Sequence, residues 1–358
     1  MKVRSSKKIP FDTRKPVLIR GTNWIGDVIM TLPAISAVRH SLPRSRITVL
    51  AKPWVAELYR ISPDVDDVIE YKSPGIHDGI AGKLRLAGQL KKRNFAMAIL
   101  LQNAIEAAII AWLARIPLRM GYNSDGRGVL LTHSVQRTRE IRAIHQIHYY
   151  LEMLKSLGFQ PAGEAPCLSM DGEFKKISQD ILNRHHIKPD DTLIGMAPGA
   201  TFGPAKMWFP ERFAEVGDKL VDTFSAKIIL FGSKGDKERA ESLQQYSKNL
   251  FINLAGTTSL KEAIALIAAC RLFITNDSGL MHLAGALGIP LVAVFGPTNP
   301  VTTSPVGEKS IVIHHDIACS PCLKKVCPTD FRCMDMIGVD EVFSAAEGLL
   351  LNNSHFSI

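Results

Sequence analysis

Pro16-Val-Leu-Ile-Arg-Gly-Thr-Asn-Trp-Ile-Gly-Asp-Val28 decides the fold. Residues 16–20 read as a short apolar strand of the kind buried on both faces, and a glycine-containing turn then leads into a helical pattern from Asp27 to Ser41. Parallel neighbours in a sheet need a crossover, and a helix supplies it. Outward from this unit the alternation repeats. Strands are expected at Ile47–Ala51, Asp67–Tyr71 and Phe95–Leu101, with helices at Trp54–Ile61 and Lys83–Lys92. Around Gly158–Pro166 the pattern breaks into a Pro/Gly-rich stretch suited to an interdomain linker. It then restarts with strands at Thr192–Ala197, Lys227–Phe231, Leu272–Thr275 and Leu291–Phe295, and helices at Glu211–Thr223 and Ser278–Leu287.

The expected class is therefore α/β, with two doubly wound parallel-sheet domains facing across a cleft. They span residues 1–170 and 171–340, and 341–358 read as a C-terminal helix and tail able to cross back to the first domain. A chain of 358 residues with 46% hydrophobic and 22% charged residues suits two globular domains and excludes disorder as its main description. Apolar stretches such as 104–113 fall far short of the ~20 residues of a membrane-spanning helix. The basic start, Met1-Lys-Val-Arg, precedes no apolar secretory segment, which places the protein in the cytoplasm. Six cysteines are too few for a disulfide scaffold of this size.

The net charge of +9 is uneven: residues 1–160 carry +13 and the remainder −4. A cationic first half predicts an anionic partner, whether a phosphorylated substrate or a membrane surface. Nucleic acid is disfavoured, since no helix-turn-helix, zinc-finger, RRM or KH signature is present.

Four segments carry the candidate chemistry. In the opening turn Gly21 and Gly26 lack the spacing of the dinucleotide fingerprint, so NAD is disfavoured, and Asp27 stands at the start of a helix. As a plain first-turn carboxylate it would be unremarkable; at the mouth of a cleft it is a candidate base. Gly195–Pro210 follows the first strand of the second domain, and its Gly199, Gly203, Thr201 and Lys206 suit a diphosphate. In Thr275-Asn-Asp-Ser-Gly-Leu-Met-His282 a strand ends in polar residues and a helix begins, a ready anion site. Two phosphate-suited loops in one domain describe a nucleotide-diphosphate pocket. Cys319, Cys322, Cys327 and Cys333 could hold zinc, take part in redox chemistry or simply be buried. The histidine pairs elsewhere have no convincing carboxylate companions. Asn23, Arg119 and Arg127 are candidates for binding an anionic acceptor.

These segments, with Phe295-Gly-Pro-Thr-Asn-Pro300 and Cys319-Ser-Pro-Cys322, occur in an order that resembles the family-9 glycosyltransferases of Gram-negative bacteria, the ADP-heptose:lipopolysaccharide heptosyltransferases. The resemblance spans nearly the whole chain. It implies a GT-B fold of two Rossmann-like domains, with the acceptor on the first and ADP-heptose on the second. It implies inverting transfer onto an inner-core heptose of lipopolysaccharide built on Kdo2-lipid A, by an enzyme peripheral to the cytoplasmic face of the inner membrane and in need of no cofactor. Carried over, the catalytic aspartate falls on Asp27, the phosphate-binding lysine on Lys206 and a hydroxyl near the diphosphate on Thr201. The donor loop falls on Asp277, Ser278, Gly279, Leu280 and His282, and a ribose-binding carboxylate on Asp236 or Glu238. A histidine usually precedes the last cysteine in close relatives; Phe331-Arg332 stands there in this chain, which weighs against zinc.

Overall fold

The computed structural model describes residues 2–5, 8–11 and 14–353, and the chain divides into two compact units, one through Ser169 and one from Met170. The first unit is built on β1 (Val3–Ser5), β2 (Val17–Arg20), β3 (Ile47–Ala51), β4 (Asp67–Glu70), β5 (Met97–Leu100), β6 (Leu118–Asn123) and β7 (His133–Gln136). They form a seven-stranded sheet in the order β1-β7-β6-β5-β2-β3-β4. Every pairing is parallel except β1 with β7. β2, β3 and β5 are buried along their whole length, which is why they read in the sequence as continuous apolar runs.

The chain runs from β2 through β3 to β4 on one side, then returns to β5 beside β2 and continues to β6 and β7. That reversal makes the carboxyl ends of β2 and β5 a topological switch point, where α/β sheets open a crevice for ligands. The helix that leaves β2 covers Ile25–Ser41 and starts two residues before the expected Asp27. It buries Val28, Ile29, Leu32, Ile35 and Val38, packing on the sheet on one side and on the Gln146–Ser156 helix on the other. The expected helix at Lys83–Lys92 begins earlier, at Gly79. The Pro/Gly-rich stretch is pinned to this unit: Gln160 N donates to Ser41 Oγ at 2.9 Å and Ser169 N to Ile61 O at 2.7 Å.

The second unit contains β8 (Leu193–Ala197), β9 (Lys227–Leu230), β10 (Ile252–Asn253), β11 (Leu272–Asn276), β12 (Leu291–Val294) and β13 (Ser310–Ile313). All are parallel, in the order β10-β9-β8-β11-β12-β13, so the switch point lies between β8 and β11. Trp208 anchors the core: it is fully buried, meets Phe213 edge-on at 5.2 Å and donates Nε1 to Ile337 O at 3.1 Å. The helix Val339–Asn353 joins the same core through Val342, Ala346 and Leu350. The C-terminal helix is thus part of the second unit, not a separate segment; residues 354–358 lie outside the described residues. Trp208→Ala is expected to destabilise this unit by about 3–5 kcal/mol, measured by urea denaturation followed by circular dichroism.

Candidate active site

At the carboxyl edge of β2, Arg20 turns inward and is fully buried. Its guanidinium donates to the carbonyls of Gly21 and Leu50 and to Asn23 Oδ1, the last at 3.0 Å. Burial pushes its pKa down to about 10. Gly21 must be glycine: a Cβ there would lie 2.5 Å from the Tyr59 hydroxyl, which accepts a hydrogen bond from Thr22 N at 2.9 Å. These contacts fix the turn that delivers Asp27 to the first turn of the Ile25–Ser41 helix. Asp27 is half-buried. Tyr150 faces it from the Gln146–Ser156 helix; burial, and then the negative charge of Asp27, push that phenol well above its ordinary value. Asn23 is half-buried in the same turn, and its carbonyl accepts the Trp54 indole N–H at 2.8 Å. Lys52, at the end of β3, stacks 4.1 Å over Tyr71 and donates to Ser73 O; burial, and then the Arg20 charge, lower its pKa.

The second unit presents its own cluster at the β8/β11 switch point. Lys206 Nζ meets Asp277 Oδ2 at 2.5 Å, and the Thr298 hydroxyl donates to the same oxygen at 2.6 Å. The Asp277 side chain is 5% exposed and that of Lys206 13%. One of three ammonium donors is thereby committed and the charge is held at a fixed place. Asn276 locks the two loops together, accepting Trp208 N at 3.0 Å and donating to Pro198 O at 2.7 Å. Ser278 caps the Gly279–Ala286 helix by accepting Met281 N, so Gly279 and Leu280 begin a helix whose N-terminus opens at this edge. His282 is buried one turn in. Thr201 is exposed on the loop after β8. Asp236 closes the rim: its carboxylate lies where a Cβ on Gly199 would fall, 2.1 Å away, and it accepts Ser233 N at 2.8 Å. Glu238 is exposed in the first turn of the next helix. Asp236 is therefore the one of the two that borders the cluster.

Two acceptor candidates are placed elsewhere. Arg127 is fully buried, donating to the carbonyls of Tyr122, Leu100 and Gln102 and to Asn103 Oδ1. Its guanidinium is committed to carbonyls at the carboxyl ends of β5 and β6 and just beyond β5. Arg127→Ala is accordingly expected to cost about 2–4 kcal/mol of stability, read as a lowered thermal midpoint, with acceptor KM unchanged at temperatures where the fold persists. Arg119 lies level with Leu18 through β5, and its guanidinium donates to Ile116 O at 2.6 Å and Leu130 O at 2.7 Å. Ile116 precedes β6, so this side chain points to the amino edge of the sheet, away from Asp27. The four cysteines lie in a segment that also contacts the donor loop. Among the described residues no group of three or more His, Cys, Asp or Glu side chains is arranged to hold a metal. The segment braces the donor loop: Lys325 O accepts Ala205 N at 3.0 Å and stands 2.4 Å from where a Cβ on Gly203 would be. Cys333 is buried beneath it in the core.

Asn276 and Thr298 stand inside the stretches singled out from sequence, but nothing there marked them as the residues that join loops and hold Asp277. Tyr59 and Tyr150 carried no sequence signal, because phenols on distant helices meet the turn only through folding, and Arg20, inside the opening stretch, showed no sign there of its burial.

Two Rossmann-like units with polar residues gathered at their switch points are the architecture of the GT-B glycosyltransferases, to which the structural relatives below belong. Comparison with known proteins makes the assignment narrower: this chain belongs to glycosyltransferase family 9 (heptosyltransferase), whose profile matches residues 83–331. It is 31% identical over 309 residues to lipopolysaccharide heptosyltransferase 2 of Salmonella typhimurium, covering 83% of this chain and 87% of that one. The structure of ADP-heptose lps heptosyltransferase II of E. coli superposes with a TM-score of 0.82 at 28% identity, over 95% of this chain and 99% of the other. A family 9 glycosyl transferase from Veillonella parvula does so with 0.88 at 26% identity, over 97% and 100%.

Proposed function

We propose that this protein transfers L-glycero-D-manno-heptose from ADP-heptose to an inner-core heptose of lipopolysaccharide, with inversion and without a metal. The observation that carries the reading is Lys206 held by Asp277 at the open end of the Gly279–Ala286 helix, which fixes an ammonium with two further donors beside helix N–H groups suited to a diphosphate leaving group. In the proposed step an acceptor heptose hydroxyl gives its proton to Asp27 while its oxygen forms the new bond to the anomeric carbon. The bond from that carbon to the diphosphate breaks, and ADP leaves with the electron pair. Lys206 and the N–H groups at Ser278–Leu280 stabilise the charge that builds on ADP. Thr201 and His282 line the donor side and Asp236 takes the adenosine ribose. Asn23 orients the acceptor.

The acceptor, built on Kdo2-lipid A, is strongly anionic, and the +13 charge of residues 1–160 supports an anionic partner on that half. Among the described residues no helix is long and apolar enough to cross a membrane. We place the enzyme on the cytoplasmic face of a Gram-negative inner membrane, held peripherally.

The test is mass spectrometry of products formed from ADP-heptose with acceptors carrying no, one or two core heptoses. A product one heptosyl residue heavier from the one-heptose acceptor is expected. Product from the heptose-free acceptor alone would assign the preceding transfer, and no product from any acceptor would overturn the reading.

A further inference from the structure

Where the first unit's chain leaves β3, Lys52 precedes Pro53, and the proline holds it extended at φ −69° and ψ 147° before a single tight turn, Pro53–Val55. This corner brings two unlike side chains together: Lys52, 8% exposed, and Trp54, 49% exposed. Trp54 is tethered, because its indole N–H donates to Asn23 O at 2.8 Å. Its rings are thus half in solvent yet fixed beside the turn that leads to Asp27. In that same turn Trp24, the residue before the helix, is also exposed. A tryptophan held by its polar edge loses little further freedom on binding, and its flat apolar rings suit the C–H face of a pyranose.

The ammonium of Lys52 donates to Ser73 O and lies 4.1 Å over the Tyr71 ring and 5.6 Å over that of Trp54. A second cation, Arg20, is fully buried 5.4 Å from the same Tyr71 ring. The two acids whose charge reaches Lys52 are engaged elsewhere. Glu106 pairs with Lys83 at 2.9 Å and accepts the Tyr71 hydroxyl at 2.8 Å, and Asp78 accepts Gly75 N at 2.7 Å. A largely buried ammonium held by one carbonyl and two aromatic faces, with another cation beside it, keeps donors and charge for an anion that arrives with a ligand.

We infer that the Lys52–Trp54 corner is a subsite for an anionic sugar of the acceptor, in which Trp54 packs the C–H face of a pyranose and Lys52 contacts a carboxylate or phosphate carried beside it. The inference rests on the proposed transfer and deepens it, since it assigns recognition of the acceptor's charge to residues other than Arg119 and Arg127. The corner is tied to the site: Asn23, four residues before Asp27, accepts Trp54 through its carbonyl and Arg20 through its side chain. Lys52 and Trp54 therefore set which acceptor binds and how tightly, and leave the chemical step to Asp27.

Calorimetric titration of the full-length protein with a deacylated, soluble one-heptose acceptor tests this without turnover. The acceptor is used intact, with its carboxylates reduced to alcohols, and stripped of phosphate. Wild type is expected to bind the intact form and to lose affinity when one of the two anions is removed, which identifies the group that Lys52 meets. Lys52→Met should bind the intact acceptor about tenfold to hundredfold more weakly, and the form lacking that anion as wild type does. Lys52→Arg, which keeps the charge, should stay within about threefold of wild type on the intact form. Trp54→Leu should weaken all three forms alike, by at least about fivefold. In steady state the Lys52→Met loss should fall on the acceptor KM, with kcat and the KM for ADP-heptose within about twofold. Equal weakening of all three forms by Lys52→Met would overturn the inference in favour of a structural role. A wild type that binds none of the forms or is indifferent to both anions would also overturn it, as would a Trp54→Leu variant that binds like wild type. A wild type that binds as described but transfers nothing from ADP-heptose would strike at the proposed transfer and leave the subsite standing.

Discussion

Asp27→Asn is expected to lower kcat by about 10²–10⁴-fold while leaving the ADP-heptose Kd within about twofold. The substitution keeps shape and a hydrogen-bonding oxygen but removes the ability to accept a proton, so only the base function is lost. The geometry isolates that function. Asp27 sits in the first turn of a helix whose entry is fixed by Arg20, Thr22 and Tyr59, none of which the change touches. The second unit's cluster, Lys206, Asp277 and Thr298, draws on separate strands and is untouched as well. Turnover is read as ADP release in a coupled assay and donor binding by calorimetry. Turnover near that of wild type would remove Asp27 from the mechanism, and a parallel loss of donor affinity would show that it acts in binding.

Lys206→Met should be almost as damaging, and in two separable ways. Loss of the ammonium removes charge stabilisation of the departing diphosphate, expected to lower kcat/KM for ADP-heptose by about 10²–10³-fold. It also leaves Asp277, whose side chain is 5% exposed, with Thr298 but no counter-charge. Breaking a nearly buried pair by removing one partner typically costs about 3–5 kcal/mol. The double variant Lys206→Met, Asp277→Asn relieves the uncompensated charge, so it should recover most of the stability and none of the activity. That split, followed by thermal denaturation beside steady-state kinetics, separates the structural role of the pair from its chemical one. Activity restored together with stability would mean that Lys206 acts only by holding the loop.

The parts of the fold that were legible are those whose chemistry is local. β2, β8 and β11 are each buried along their whole length, so their apolar runs announce them. β1 has three residues and β10 two, too short to show any period, and each exists through a partner strand: β1 by antiparallel pairing with β7, β10 beside β9. The site divides along the same line. Asp277 and Ser278 follow the end of β11 directly, Asp27 and Lys206 lie in the turns after β2 and β8, and the strand-to-helix pattern places all four. Arg127 shows the opposite case. A cation in a polar segment reads as a surface residue, yet here carbonyls at the ends of β5 and β6 converge on it and draw it fully inside. Arg119 lies in a strand, Leu118–Asn123, that the sequence pattern did not announce, so nothing in the sequence placed it near the amino edge of the sheet. The cysteine spacing carries no sign of the backbone contact that the same segment makes, in which Lys325 O holds the donor loop.

A single displacement with one carboxylate base predicts a definite stereochemistry. The most direct measurement is the anomeric configuration of the transferred heptose, read by NMR from the one-bond carbon–hydrogen coupling in the product and compared with that in ADP-heptose. The account predicts the opposite configuration in the product. The same configuration in both would require a second displacement or a front-side attack, and would contradict the assignment of Asp27 as the base that drives one in-line step.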